Sequence, residues 1–384
     1  MVNLDFLNRT IRPIGLDIGH NSIKMIQLAI SGEKISVHAA EEAPIDIDAN
    51  EDEQTRRNRI AETIRQMYTR GCFHGKDTIS CLPSGELKIT SLRLTENECQ
   101  EAEQVLKYEA AERFGLDPEK DAMDYIVAGN VRQGDEIKNE LVLFAADNEA
   151  IKSHIEMIEQ SGLNPVSIDI IPCALFRSFE RSLRRQEDKE NAVVFVDVGR
   201  SYTTILFGRD GEICFVKQIK IGAENFNREV AMKLGLTSRE AEVLRKELQA
   251  ENKKSSRKDP KIDASTRQGM VDAISKVAEE LAKEISLCMR YYSVTFRGRR
   301  IERAIFTGGG SYEKILLDTM RRQLTVGIET AQPLRGCEIQ RERVNIDMYR
   351  ERNGLLCEWA IAVGLSLKGW NAIKHSRQEV CSGA

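Results

Sequence analysis

The sequence lacks several things, and each absence excludes a class. It has no surplus of either charge, with 56 Lys and Arg against 60 Asp and Glu and a formal net charge of −4. A dedicated nucleic-acid binder carries a strong basic excess, so no nucleic-acid partner is expected. No run of ~18 apolar residues occurs, so no helix is expected to span a membrane, and any membrane contact is expected to be indirect. The opening MVNLDFLNRTIRPIGLDIG lacks the basic start, long apolar core and small-residue cleavage site of a signal peptide. The nine cysteines are scattered and no two have CxxC spacing, so reduced, buried thiols in a cytosolic compartment are expected. The motifs GxxxxGK[ST], HExxH and GxSxG are all absent, which excludes a Walker-type phosphate loop, a zincin helix and a nucleophile elbow.

What remains is an ordinary globular composition over 384 residues, 41% hydrophobic and 30% charged. That length sets a prior of two to three domains. The apolar run at 14–18 reads as a strand, Gly19–Asn21 as a tight turn, and Ile23–Ile30 as a returning strand, with a third over 34–40. An acidic loop over 41–58 leads to a helix at 59–70, and 78–82 is again a strand. A different pattern starts at 89–94. Thr95-Glu96-Asn97-Glu98 is a capping box. The helix behind it places Ala102, Val105, Leu106, Tyr108 and Ala110 around one face and ends near Gly115. Strands at 123–131 and 139–146 and a helix at 148–161 complete a small α+β block, 86–165.

A helix over 172–185 follows, then the most apolar strand, Ala192–Val198. Strands at 203–207 and 212–219 and helices at 223–234 and 238–249 come next. Residues 251–268 read as an exposed loop or helix extension. A long helix at 269–297 carries an apolar stripe. A strand at 301–307 runs into glycines, followed by a helix at 312–323, a strand at 325–329 and a last helix at 354–368.

The chain contains an internal repeat. Gly15-Leu16-Asp17-Ile18-Gly19 and Phe195-Val196-Asp197-Val198-Gly199 match in type, and each ends an apolar strand with Asp-x-Gly before hydroxyl residues. Such a turn suits phosphate: glycine admits close backbone approach, amide N–H groups point into the concavity, and hydroxyls add donors. The aspartates cannot bind phosphate directly, but they offer the oxygen ligands that Mg²⁺ prefers. Thr307-Gly308-Gly309-Gly310 adds a strand ending in three glycines before a helix, with room for a flat ring.

These residues carry a family resemblance. The order hairpin, hairpin, triple glycine resembles the actin-like ATPase superfamily. The segments Ile14–Lys24, Leu106–Ala110, Leu141–Ala146, Gly162–Pro165 and Ala360–Leu367 closely resemble the PilM family, actin-like and FtsA-related proteins of type IV pilus assembly. The resemblance spans about residues 12–370. It implies an α/β fold of two ribonuclease-H-like lobes, each with a mixed five-stranded sheet flanked by helices, and an inserted α+β subdomain in the first lobe. The implied division is 12–85 for the first lobe, 86–165 for the insert and 166–190 for a connecting helix. The second lobe takes 191–353, a second connecting helix 354–370, and the tail 371–384.

Carried onto this sequence, the resemblance assigns ATP and Mg²⁺ as cofactors. Asp17 and Asp197 would hold the metal at the catalytic centre. Gly19, Asn21, Ser22 and Lys24 would contact phosphates from the first lobe, and Gly199, Thr203 and Thr204 from the second. Gly308, Gly309 and Gly310 would border the adenosine. Ala241–Arg245 resembles an AExxK segment, which puts Glu242 and Arg245 by the ribose. The first connecting helix opens Asp169-Ile-Ile-Pro-Cys-Ala-Leu175, without an obvious water-positioning Gln or Glu, so hydrolysis is expected to be slow at most; Asp169 is the one nearby candidate.

The implied function is a cytoplasmic scaffold docking the N-terminal cytoplasmic peptide of a PilN-like inner-membrane protein, with nucleotide-dependent lobe closure. It would sit at the inner membrane through that partner, alongside other pilus platform proteins and the assembly ATPase, and could self-associate. A related secretion system is an open setting. An FtsA-like division filament is the alternative, disfavoured by the few apolar residues of the tail. A sugar-kinase-type enzyme of the same fold is the third reading.

Overall fold

The computed structural model describes residues 9–45, 52–183, 190–253, 262–296, 300–339, 344 and 355–369. The chain forms two compact units. One comprises residues 1–185, 211–214 and 332–384, the other residues 186–210 and 215–331.

The first unit is built on β1 (Thr10–Ile18), β2 (Ser22–Ser31), β3 (Lys34–Pro44), β4 (Asp77–Cys81), β8 (Asn164–Asp169) and β14 (Glu338–Ile339). Their order is β14-β3-β2-β1-β4-β8. β1 runs antiparallel to β2 and parallel to β4. The second unit carries β9 (Ala192–Val198), β10 (Thr203–Arg209), β11 (Glu212–Ile219, from Phe215 onward), β12 (Ile301–Thr307) and β13 (Gly327–Thr330). Their order is β11-β10-β9-β12-β13. Removing β14 leaves the same pattern twice: a three-stranded meander with two parallel strands added beside its first strand.

Helices supply the covering layers. In the first unit, α1 (Glu53–Arg70) and α4 (Asn148–Gln160) pack Ile60, Ile64, Met157 and Ile158 onto Ile14, Leu16 and Met25 of the sheet. The opposite face receives α10 (Ala360–Ser366), with Ala362 and Val363 against Ile26 and Leu28. Beside it, α5 (Ile171–Glu180) approaches so closely that a Cβ on Gly364 would lie 1.7 Å from the Ala174 carbonyl oxygen. In the second unit, α6 (Ala223–Leu234), α7 (Ser238–Lys253), α8 (Ala264–Thr295) and α9 (Lys314–Gln323) flank the sheet. The buried stripe of α8 runs from Met270 through Ile274, Leu281 and Ile285 to Tyr292, as its periodicity predicts.

The insert is a sheet of its own, β5 (Lys88–Leu94), β7 (Glu136–Ala146) and β6 (Ala122–Gln133) in that order. It is covered by the short α2 (Glu96–Gln100) and by α3 (Ala102–Phe114), which bury Leu106 and Ala110 against Leu92, Leu141 and Leu143.

Several boundaries differ from the sequence expectation. The helix expected at 59 begins at Glu53, because the Asp52 carboxylate accepts the Thr55 N–H at 3.0 Å and caps it. β3 runs to Pro44 rather than ending at 40. The capping box forms, with the Thr95 N–H donating to Glu98 at 2.7 Å, but the helix breaks at Glu101 and Tyr108 faces solvent, 65% exposed. The block 86–165 divides, because α4 packs on α1 and the first sheet rather than on the insert. The helix expected over 172–185 stops at Glu180. The long helix begins at Ala264, where Asp263 caps Thr266, so 251–268 is helical at both ends; 254–261 lie outside the described residues. The last helix is a single 3₁₀ turn at Cys357–Trp359 followed by α10. The second lobe does not run as far as 353, because the described residues 332–339, 344 and 355–369 belong to the first unit. β14 pairs there with β3 and gives that sheet six strands instead of five. The tail 371–384 lies outside the described residues.

Candidate functional site

The two Asp-x-Gly hairpins fold alike. The Gly19 N–H donates to the Ser22 carbonyl at 3.0 Å, and the Gly199 N–H donates to the Tyr202 carbonyl at 3.0 Å. A Cβ on either glycine would lie about 3 Å from that same carbonyl (2.9 and 3.0 Å), so the turns need glycine for space. Residues directly opposed in an antiparallel pair share a face. Asp17 opposes Lys24, and Asp197 opposes Thr204. Both aspartates are 8% exposed.

In the first hairpin the row continues into β3, where Glu42 opposes Lys24. The buried Lys24 ammonium donates to Ser22 Oγ at 2.8 Å and stands 3.7 Å from Glu42. Burial pushes the Asp17 carboxyl above its ordinary value, Lys24 pulls it down, and Glu42 pushes it up. Lys24 thus stands between two carboxylates, Asp17 and Glu42. A carboxylate is the oxygen donor a hard cation prefers, so Asp17 is the residue of this turn that could hold one. Asn21 lies exposed at the tip of the turn.

In the second hairpin Thr203 faces away from Asp197. It is fully buried and donates its hydroxyl to the Ile221 carbonyl at 2.7 Å, so this hydroxyl secures the hairpin rather than reaching a ligand. The glycine turn lies over the end of the same hairpin. β12 reaches Asp197 in register through Thr307. Gly308 has φ +79°, and a Cβ there would stand 2.5 Å from Asp197 Oδ1. Gly310 lies against Val198, while Gly309 faces open space. Ser311 Oγ donates to the Gly308 carbonyl at 2.6 Å and locks the turn. The structure therefore brings Asp197, Gly199, Thr204 and Gly308–Gly310 together within one unit.

It does not present Glu242 and Arg245 as free ligands. Glu242 pairs with Arg200 at 3.1 Å and Lys246 at 2.7 Å. Arg245 is buried, pairs with Glu313 at 3.0 Å and lies over the Phe226 ring. Asp169, the candidate water-positioning residue, is occupied too. Its Oδ1 accepts the Ile170 N–H just ahead of α5 at 2.9 Å, and its Oδ2 pairs with Arg177 at 2.9 Å and has Lys368 at 3.6 Å. Among the described residues no cluster of His, Cys, Asp and Glu forms a metal site of three or more ligands.

A family model described as type IV pilus assembly protein PilM matches residues 15–370. The chain belongs to the PilM family. Among solved structures, one described as the PilM–PilN type IV pilus biogenesis complex shares 20% identity at a TM-score of 0.73, covering 93% of this chain and 98% of that one. The ethanolamine utilization protein EutJ from Carboxydothermus hydrogenoformans follows at 13% identity and a TM-score of 0.52, covering 94% and 90%. The duplicated sheet order and these likenesses give this PilM family member the actin-like ATPase fold. No helix among the described residues is long and apolar enough to cross a membrane.

Sequence reading missed Glu42, Arg200 and Glu313. His38-Ala-Ala-Glu-Glu-Ala43 does not alternate, so nothing local marked β3 as running four residues further, where Glu42 comes opposite Lys24. Arg200 and Glu313 have no local signal, because their partners lie 42 and 68 residues away.

Proposed function

We propose that this chain is an ATP-binding scaffold of the type IV pilus assembly platform. Its partner would be the short cytoplasmic N-terminal peptide of a PilN-like inner-membrane protein. Family membership over residues 15–370 carries this reading, and the fold shared with the PilM–PilN complex across nearly the full length of both chains supports it. The same membership leaves the FtsA-like and sugar-kinase readings without support. The protein would work on the cytoplasmic side of the inner membrane, held there by its partner.

Nucleotide binding rests on the two hairpins and the glycine turn. In the second unit Asp197 would supply oxygens for Mg²⁺, Thr204 a donor for phosphate and Gly309 open space beside the turn; in the first unit Asp17 would supply oxygens for Mg²⁺, and Ser22 and Lys24 donors for phosphate. When bound, Mg²⁺ would neutralise phosphate charge next to the aspartates. Hydrolysis is slow in this reading, because both oxygens of Asp169, the candidate water-positioning residue, are engaged.

The test is calorimetric titration of the purified chain with a synthetic N-terminal peptide of the PilN-like protein, with and without Mg²⁺-ATP, alongside ATP turnover. Saturable peptide binding with turnover well under one per minute is expected. Absence of peptide binding, or turnover on the order of one per second as in ordinary enzymes, rejects the scaffold reading.

A further inference from the structure

Glu242 and Arg245 lie three residues apart on α7, and each reaches a different part of the second unit's phosphate and glycine machinery. Glu242 accepts from Arg200, the residue after Gly199 at the hairpin tip, at 3.1 Å. The other arm of Arg200 pairs with Glu224 at 2.6 Å. The carbonyls of Gly199 and Arg200 accept the N–H groups of Ala223 and Glu224, each at 2.9 Å, so the tip is tied to the first turn of α6 as well. On the same side of α7, Arg245 donates to Glu313 at 3.0 Å, to the Ala223 carbonyl at 3.1 Å and to Asn227 Oδ1 at 2.5 Å. Glu313 is where the glycine turn passes into α9, and its N–H donates to the Gly310 carbonyl at 3.1 Å. Gln249, four residues further along α7, donates to the same Glu313 oxygen at 3.1 Å.

We propose that α7 is a brace between the phosphate hairpin and the glycine turn, with Arg200–Glu242 at one end and Arg245–Glu313 at the other. Anion binding at the hairpin tip is felt at the glycine turn through it. Glu242 and Arg245 are then positioning residues rather than ribose ligands. The two ends differ in a way that suits this. The Arg245–Glu313 pair is 6% and 2% exposed by side chain, so it is a fixed joint whose geometry excludes water. The Arg200–Glu242 pair is 19% and 22% exposed, within reach of an arriving anion. A phosphate competes with Glu242 for the same guanidinium fork, so the load on α7 changes when the hairpin fills. This inference rests on the nucleotide reading and deepens it.

A base-free anion separates the brace from direct contact with adenine. Hydrogen exchange of the full chain would be followed with Mg²⁺ and tripolyphosphate at the hairpin peptide (199–207) and the glycine-turn peptide (308–313). In the native sequence both peptides are expected to slow. In Glu242→Ala the hairpin is expected to slow while the glycine-turn response is lost, and Arg200→Ala, at an accessible turn, should lose it too. An unchanged glycine-turn response in both variants overturns the brace, because the direct contacts of Gly308 with Asp197 and of Gly310 with Val198 would then carry the signal. A hairpin response without a glycine-turn response in the native sequence overturns it as well. If neither peptide responds to tripolyphosphate or to ATP, the nucleotide reading fails and the brace with it.

Discussion

Residues 180 positions apart occupy equivalent places in the two sheets, and the chemistry there is not the same. Gly15 of β1 corresponds to Phe195 of β9. At Gly15 the backbone of α10 comes so close that a Cβ would stand 2.1 Å from the Ala362 carbonyl, whereas Phe195 fills its space with a fully buried ring. Leu16 pairs with Ser80 across β1 and β4, while Val196 pairs with Phe306 across β9 and β12. Ser80 donates to the Leu16 carbonyl at 2.8 Å and meets His154 at 3.0 Å; its counterpart Phe306 is purely apolar. Lys24 faces Asp17 where Thr204 faces Asp197. One topology is thus stabilised in two ways: by close backbone packing and a buried polar relay in the first unit, and by aromatic filling with an ion-paired brace in the second.

The sharpest way to test that contrast is to remove one half of the brace's fixed joint. Arg245→Met leaves the Glu313 carboxylate buried without its cationic partner, with the Gln249 amide still donating to it, and such losses run to about 3–5 kcal/mol. The expected result is faster hydrogen exchange in β9 and β12 with β1 and β4 unchanged. The double variant Arg245→Met/Glu313→Leu should recover most of the loss, because packed apolar pairs replace buried ion pairs well. A destabilisation spread evenly over both units would break the contrast.

The matching test in the first unit is Gly15→Ala. The added methyl meets backbone, not a movable side chain, and overpacking of this kind costs about 3 kcal/mol. The change should loosen β1 and α10 first, as read by exchange of their amides. If Gly15→Ala melts like the native chain, the close approach of α10 is not what holds this unit together.

Acid should also separate the units. His154 is buried beside Ser80, and burial pushes its pKa down from the ordinary 6.5 to about 4. The unfolded chain therefore takes up a proton below about pH 6.5 that the folded one refuses until about pH 4. Stability falls as pH drops through that window, by at most about 3 kcal/mol at one pKa unit per 1.36 kcal/mol. His154→Gln keeps an N–H for Ser80 and does not titrate, so it should flatten the pH dependence between pH 6.5 and 4. A variant with the native pH profile would show that other groups govern acid sensitivity.

The sequence made the repeated part legible and left the divergent part hidden. The hairpins, the glycine run, α6 and β12 were readable because glycine spacing and apolar periodicity are local. The β14 strand is two residues long and pairs with β3 some 300 positions earlier, beyond any local pattern. Tyr108 sits in an apolar-looking helix, but α3 buries Ala102, Leu106 and Ala110, and Tyr108, two residues from Leu106, falls on the opposite face. Glu242 and Arg245 were visible as charged helix residues. Their partners Arg200 and Glu313 were not, since only the packing of α7 between hairpin and glycine turn brings them together.

The smallest expected effect bears on the most similar pair of positions, the two aspartates. Burial raises the Asp17 carboxyl above its unfolded value of 3.8, so the folded state holds its proton more tightly and the ionised form weighs against folding as pH rises through that range. Asp17→Asn removes this burden while keeping the side chain's shape and the Lys24 contacts with Ser22 and Glu42. A small rise in first-unit stability at pH 7 is expected, shrinking towards pH 4, together with at least about a tenfold loss of Mg²⁺-nucleotide affinity. That combination marks a residue retained for its ligand at the expense of the fold. Loss of stability in Asp17→Asn would instead mean that attraction to Lys24 outweighs burial, and that the first hairpin is held by its charges as the second is by its brace.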